Sequence, residues 1–147
     1  MRRREFMGAF ISGVGVMLLM PLQVLAAAWN REAFEATKLP EALKGLKAGD
    51  QVSSKEIEIT APERAENGAV VQVEILSRSP NTEAIALLVD KNPTPLIANF
   101  LFGQGTEPYV VTRIKMAESS EVHAIVKAGD RYYEAKRFVE VLENGCN

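Results

Sequence analysis

Two periodicities divide the chain. Between Trp29 and Lys47 the apolar residues Phe34, Leu39, Leu43 and Leu46 recur at intervals of three to five, the spacing that lines up one face of a helix. Gly45 and Gly49 mark its end, and Pro40 interrupts the pattern. A proline inside a helix removes a hydrogen bond and clashes with the preceding turn. The stretch is therefore expected as two short helices, or one broken at Lys38-Leu39, with the apolar face packed on the body of the domain.

From Lys55 onward the period becomes two. Glu56-Ile57-Glu58-Ile59 predicts a strand with one apolar face, and Glu66-Asn67-Gly68 predicts a turn. Behind it Val71, Val73 and Ile75 alternate with Gln72 and Glu74. Ile85 to Val89 is a continuous apolar run, as expected for a central strand buried on both sides. Neither proline of Asn92-Pro93-Thr94-Pro95 can donate to a ladder, so this is a turn or crossing loop. Ile97 to Phe102 follows, then a loop at Gly103-Gln104-Gly105. Tyr109 to Met116 alternates again, and Val122 to Val126 is next. Gly129-Asp130 turns the chain into Arg131-Tyr132-Tyr133, and Phe138 to Leu142 forms the last strand. About seven or eight strands at roughly 8–14-residue intervals, with no helix between them, predict a mainly β fold. The expected architecture is an immunoglobulin-like antiparallel β-sandwich with a short N-terminal helical segment.

Residues 1–28 read as an export signal. Arg2-Arg3-Arg4 precedes an apolar run from Met7 to Leu25, which ends in Ala26-Ala27-Ala28, small residues that suit a signal peptidase. Gly8, Ser12, Gly13, Gly15, Pro21 and Gln23 interrupt the run, which argues against stable membrane insertion. Arg3-Arg4-Glu5-Phe6-Met7 resembles the twin-arginine export motif. The expected location is the periplasm. The chain then divides into a leader (1–28), a domain (29–142) and a C-terminal arm (143–147).

Composition narrows the function. A hydrophobic content of 47% in 147 residues suits one globular domain plus a leader. Removing Arg2, Arg3, Arg4 and Glu5 with the leader leaves 14 basic and 18 acidic residues, a net charge of −4. That balance excludes a nucleic-acid partner, which would need clustered Lys and Arg. A zinc site needs three or four ligands and a blue-copper site two histidines with a cysteine. One histidine, His123, and one cysteine, Cys146, supply neither, and there is no glycine-rich phosphate loop, so neither metal nor cofactor is expected. His123, between Val122 and Ala124, is expected to be structural or solvent-facing. Arg113 and Lys115 read as a solvated strand face, and Tyr132 and Tyr133 as one outward and one core-facing aromatic.

What remains is the tail, Glu143-Asn144-Gly145-Cys146-Asn147. A chain end has no core for a cysteine to join. From Leu142 an extended chain reaches roughly 13 Å to Cys146, and Gly145 removes bulk beside the sulfur. Asn144, Gly145 and Asn147 complete an arm suited to inserting a bound group into a narrow cleft. The terminal carboxylate and Glu143 disfavour a further negative charge, so the free thiol is expected to be accessible but not strongly activated. A nucleophilic pair of Cys146 with His123 is formally available.

These features together resemble the SoxY family of sulfur carriers from the periplasmic thiosulfate-oxidising Sox system. The resemblance runs from about Leu46 to the end. It rests on Glu66-Asn67-Gly68-Ala69-Val70-Val71, on Asp90-Lys91-Asn92-Pro93-Thr94-Pro95 followed by Phe100, on Thr112-Arg113-Ile114-Lys115-Met116, and on Gly145-Cys146. It implies an immunoglobulin-like sandwich paired with a SoxZ-like subunit. It also implies that Cys146 holds sulfur intermediates covalently while separate Sox-type enzymes act on them, so that the chain is not itself an enzyme. The family's tail reads Gly-Gly-Cys-Gly-Gly; here Asn144 replaces the first glycine and Asn147 the last two. The arm is shorter and bulkier. The competing reading is a periplasmic immunoglobulin-like binding or assembly module that has lost the carrier role.

Overall fold

The computed structural model describes residues 30–143. The expected helical stretch is two helices, α1 (Arg31–Glu35) and α2 (Leu39–Gly45). Asn30 caps α1, its Oδ1 accepting from the Ala33 amide at 3.1 Å, and its Nδ2 donates to the Gly45 carbonyl at 2.7 Å. Pro40 lies in the first turn of α2, where a missing N–H costs nothing. Gly45 is needed for the contact between the helices: a Cβ there would meet Ala33 backbone atoms at 2.7 Å. The helix does not end through a glycine. Lys47 takes the left-handed position (φ 60°), with its amide donating to Lys44 and that of Ala48 to Leu43.

Nine strands follow: β1 (Val52–Ser53), β2 (Ile57–Thr60), β3 (Arg64–Asn67), β4 (Val71–Ser77), β5 (Thr82–Val89), β6 (Leu96–Leu101), β7 (Tyr109–Ile114), β8 (Ser120–Ala128) and β9 (Arg131–Glu143). A large sheet runs β1-β9-β8-β5-β6, with β3 also on β9, and a small one runs β2-β4-β7. The sandwich core lies between them, with Val71, Val73 and Ile75 of β4 packed against Ile85, Leu87 and Val89 of β5, Val122, Ala124 and Val126 of β8, and Val139 and Val141 of β9.

On its other face the large sheet carries a second apolar layer. Ala86, Leu88, Leu96 and Ile125 lie under Ala33, Ala36, Ala42 and Ala48 from the helical segment. β5 is thus buried on both faces, the reason its apolar run is continuous. Tyr132 packs against this helical layer and donates to the Leu46 carbonyl at 3.1 Å, while Tyr133 packs into the sandwich core. The tyrosine expected to face outward is therefore a covering residue.

The mainly β two-sheet fold agrees with expectation, and three details differ. Arg131 to Glu143 is one 13-residue strand, not two segments. Glu66 and Asn67 belong to β3, and the turn begins at Gly68. β1 and β3 pair with β9 in parallel, Val52 opposite Tyr133 and Arg64 opposite Glu140, whereas the other pairings are antiparallel. Both are short edge strands of mostly exposed residues, so they carry no apolar alternation to announce them.

Candidate functional site

β9 delivers the chain to the arm, and its last turns are held from both sides. Val139 and Val141 are buried in the sandwich core. Along one edge the Glu140 amide donates to Glu63 at 2.9 Å, and the Gly68 amide donates to the Glu143 carbonyl at 2.8 Å. Gly68 is itself held through its carbonyl, which accepts from Met116 at 2.7 Å. On the other edge the Val141 amide donates to Ser119 Oγ at 2.8 Å. Arg64 and Glu140 form an ion pair at 2.6 Å between half-exposed side chains, worth little in solvent. The strand is thus hydrogen-bonded up to Glu143, the first residue of the expected arm, which belongs to β9.

Asn144, Gly145, Cys146 and Asn147 lie outside the described residues, as do the leader and its cleavage site. Their reach is bounded by chain length: the three residues from Glu143 to Cys146 span at most about 10 Å. His123 sits opposite Lys136, seven residues back along β9 from Glu143, or about 23 Å. A thiol on that tether does not reach its own His123, so the nucleophilic pair is excluded within one chain.

His123 is structural. It is 2% exposed, and its Nδ1 lies 2.9 Å from Glu134 Oε1. Its Nε2 has no hydrogen-bond partner among the described residues; the nearest carboxylate oxygen, on Glu121, is 3.9 Å away. Arg113 and Lys115 are exposed, as expected of a solvated face. No group of three His, Cys, Asp or Glu among the described residues is placed to hold a metal. No helix among them is long and apolar enough to cross a membrane.

A recess of about 630 Å³ lies at the opposite end of the sandwich, among the turns holding Asn81, Gly103 to Thr106, and Gly129. No histidine, cysteine, lysine or arginine lines it, and its one carboxylate, Glu83, is paired with Lys127 at 2.7 Å. Sequence reasoning missed the residues that brace the end of β9: Ser119 and β3 carried no signal beyond the Asn67-Gly68 turn.

Comparison with known proteins agrees with this picture. The chain matches the family described as "Sulfur oxidation protein SoxY" over residues 44–146. The structure of the sulfur carrier protein SoxY from Chlorobium limicola f thiosulfatophilum superimposes with a TM-score of 0.64 at 35% identity, covering 78% of this chain and all of that one. A Jonesia denitrificans lytic polysaccharide monooxygenase aligns at 15% identity and a TM-score of 0.39, over 53% of this chain and 56% of the other. That is too distant to bear on fold or function. No curated protein matches the chain. On the family match, the shared fold and the identity to the Chlorobium protein, this chain belongs to the SoxY family of sulfur oxidation proteins.

Proposed function

We propose that this protein is a covalent sulfur carrier, with sulfur intermediates held on Cys146 and presented to separate enzymes during sulfur oxidation. The carrier role follows from membership of the family and the likeness to a SoxY sulfur carrier. A carrier of this kind is a substrate of the enzymes that process its cargo, not a catalyst. The observation that carries the finer reading is the bracing of β9 up to Glu143 by Gly68 and Ser119, directly before a tail holding the only cysteine. A rigid root and a short tether let a bound group enter a cleft while the domain stays outside. Asn144, Gly145 and Asn147 are the arm, and Gly145 keeps the approach to the sulfur narrow.

In this reading residues 1–28 direct export through the twin-arginine route, and the domain (29–142) works in the periplasm. A SoxZ-like subunit forms a heterodimer with it. Support for a partner comes from the free edges of both sheets, β6 in the large one and β2 and β7 in the small one, which in a monomer are open to pairing.

Intact-mass measurement on protein purified from its native periplasm tests the carrier role. Sulfur adducts are expected on the wild type and absent from Cys146→Ser, with the fold of the variant unchanged. A Cys146→Ser protein that still supports full thiosulfate oxidation, as the cell's only such chain, overturns the proposal. It would favour the binding or assembly module instead.

A further inference from the structure

The outer face of the large sheet is only half covered. The helical layer closes over Ile125 and Leu88. Towards the arm, Phe138 and Leu142 project from β9 on that same face, each 58% exposed. Their neighbours Val139 and Val141 alternate into the core, which fixes this orientation. Glu121 stands across from Phe138 on β8 and is exposed. Glu66 on β3 is exposed too and has no ion pair among the described residues. Arg64, the basic residue of β3, is already engaged by Glu140. The face thus carries two apolar side chains on either side of the Arg64–Glu140 ion pair, with Glu66 and Glu121 beside them, and it ends where the arm begins.

The length of the arm says what covers this strip. A protein that takes Cys146 into a cleft must approach within about 10 Å of Glu143, because three residues reach no further. A standard interface buries about 800 Å² on each side, a disc of about 16 Å radius. Centred on Leu142, the outward residue next to the arm root, such a footprint extends up the strand to Phe138, about 13 Å away. Scattered apolar residues on a surface need no explanation. Here two large ones share a face of the strand that delivers the arm. Val70, 62% exposed, adds a third in the turn whose Gly68 binds Glu143.

We propose that Phe138 and Leu142, with the acidic margin of Glu66 and Glu121, form the docking face for the sulfur-processing enzymes that receive the arm. The surface around the cleft of such an enzyme is apolar at its centre and basic at its rim. The proposal rests on the carrier reading and names the surface that reading leaves open. Apolar contact supplies residence time, and the opposite charges speed encounter and set orientation.

The test uses the full mature chain, with any subunit that co-purifies, added to a periplasmic extract from a strain lacking it. Thiosulfate-dependent electron transfer is measured as the carrier concentration is varied. Phe138→Ser and Leu142→Ser together are expected to raise the apparent KM for the carrier about tenfold or more, with kcat within about twofold. Wild-type KM is expected to rise with salt. Both residues are more than half exposed, so the fold should survive, which circular dichroism checks. Maleimide labelling of Cys146 should proceed at the wild-type rate. An unchanged KM overturns the docking face. So does loss of a co-purifying subunit from the double variant, which would assign the strip to a permanent partner. Cys146→Ser serves as the separate control: its failure to abolish turnover sinks the carrier reading, whatever Phe138 and Leu142 do.

Discussion

Ser119 grips the backbone of Val141 twice: the Val141 amide donates to its Oγ at 2.8 Å, and the hydroxyl reaches the Val141 carbonyl at 3.3 Å. One side chain from the segment before β8 thereby extends the ladder beyond the last backbone pair, Ser120 with Val139. With the bond from Gly68 to Glu143 on the other edge, this sets where the rigid strand stops.

Removing that grip should loosen the arm root without unfolding the domain. Ser119→Ala is expected to cost about 1 kcal/mol locally. Hydrogen exchange in a C-terminal peptide covering 138–143 should quicken about fivefold, while peptides from β5 and β8 stay protected. Equal exchange in both proteins would mean that Val139 and Val141 alone hold the root.

The helical segment supports two substitutions of opposite sign. Gly45→Ala would place a Cβ 2.7 Å from the Ala33 backbone, so α1 and α2 must separate and stability should fall by about 1–3 kcal/mol. Lys47→Gly relieves a left-handed lysine at φ 60° and should raise stability by about 0.5–1 kcal/mol. Thermal unfolding of the two variants checks both, and a Tm shift in the same direction for each would contradict the helix geometry.

Glu134→Ala leaves buried His123 with neither ring nitrogen partnered among the described residues. The expected loss is about 1–3 kcal/mol in denaturant unfolding. Loading of Cys146 by a small sulfur reagent should be unaffected, because the pair lies about 23 Å along the strand from the arm root. A change in loading rate would tie His123 to the thiol after all.

Tyr109 donates to Glu74 Oε2 at 2.8 Å. That bond first, with slight desolvation and then the negative charges of Glu74 and Glu107, raises the phenol above its ordinary value of 10.0. A folded value above the unfolded one contributes stability that is complete below the ordinary value and lost as pH rises through the raised one. In an ultraviolet titration Glu74→Gln should move one tyrosine step to lower pH, with no difference between the proteins at neutral pH. A titration curve unchanged by the substitution would mean that the contact does not persist in solution.

Much of the fold was legible because burial writes a period into the chain. The alternation of Val71, Val73 and Ile75 announced β4, and Pro40 divided the helices because it cannot donate within one. β1 and β3 were not legible: a short exposed edge strand is stabilised by the neighbour it meets, and no local pattern names that neighbour. Lys47 hid for a related reason. Its left-handed backbone is imposed by the helix end it closes, although glycine is the residue that would advertise such a site. At the end of β9, the thiol was visible as a residue type and the bracing of the strand was not.

The sequence by itself determined the sandwich, the helical cap and the only thiol, Cys146, at the end of the last strand. These follow from the order of polar and apolar residues and from side-chain chemistry, which are local properties. Tertiary structure decided that His123 is buried against Glu134 and out of reach of that thiol, that β3 and Ser119 clamp β9, and that Phe138 and Leu142 share an uncovered face. Each of these is a distance between residues far apart in sequence. Such distances are set by which strand pairs with which and in what register, and that pairing is decided only when the whole core packs at once.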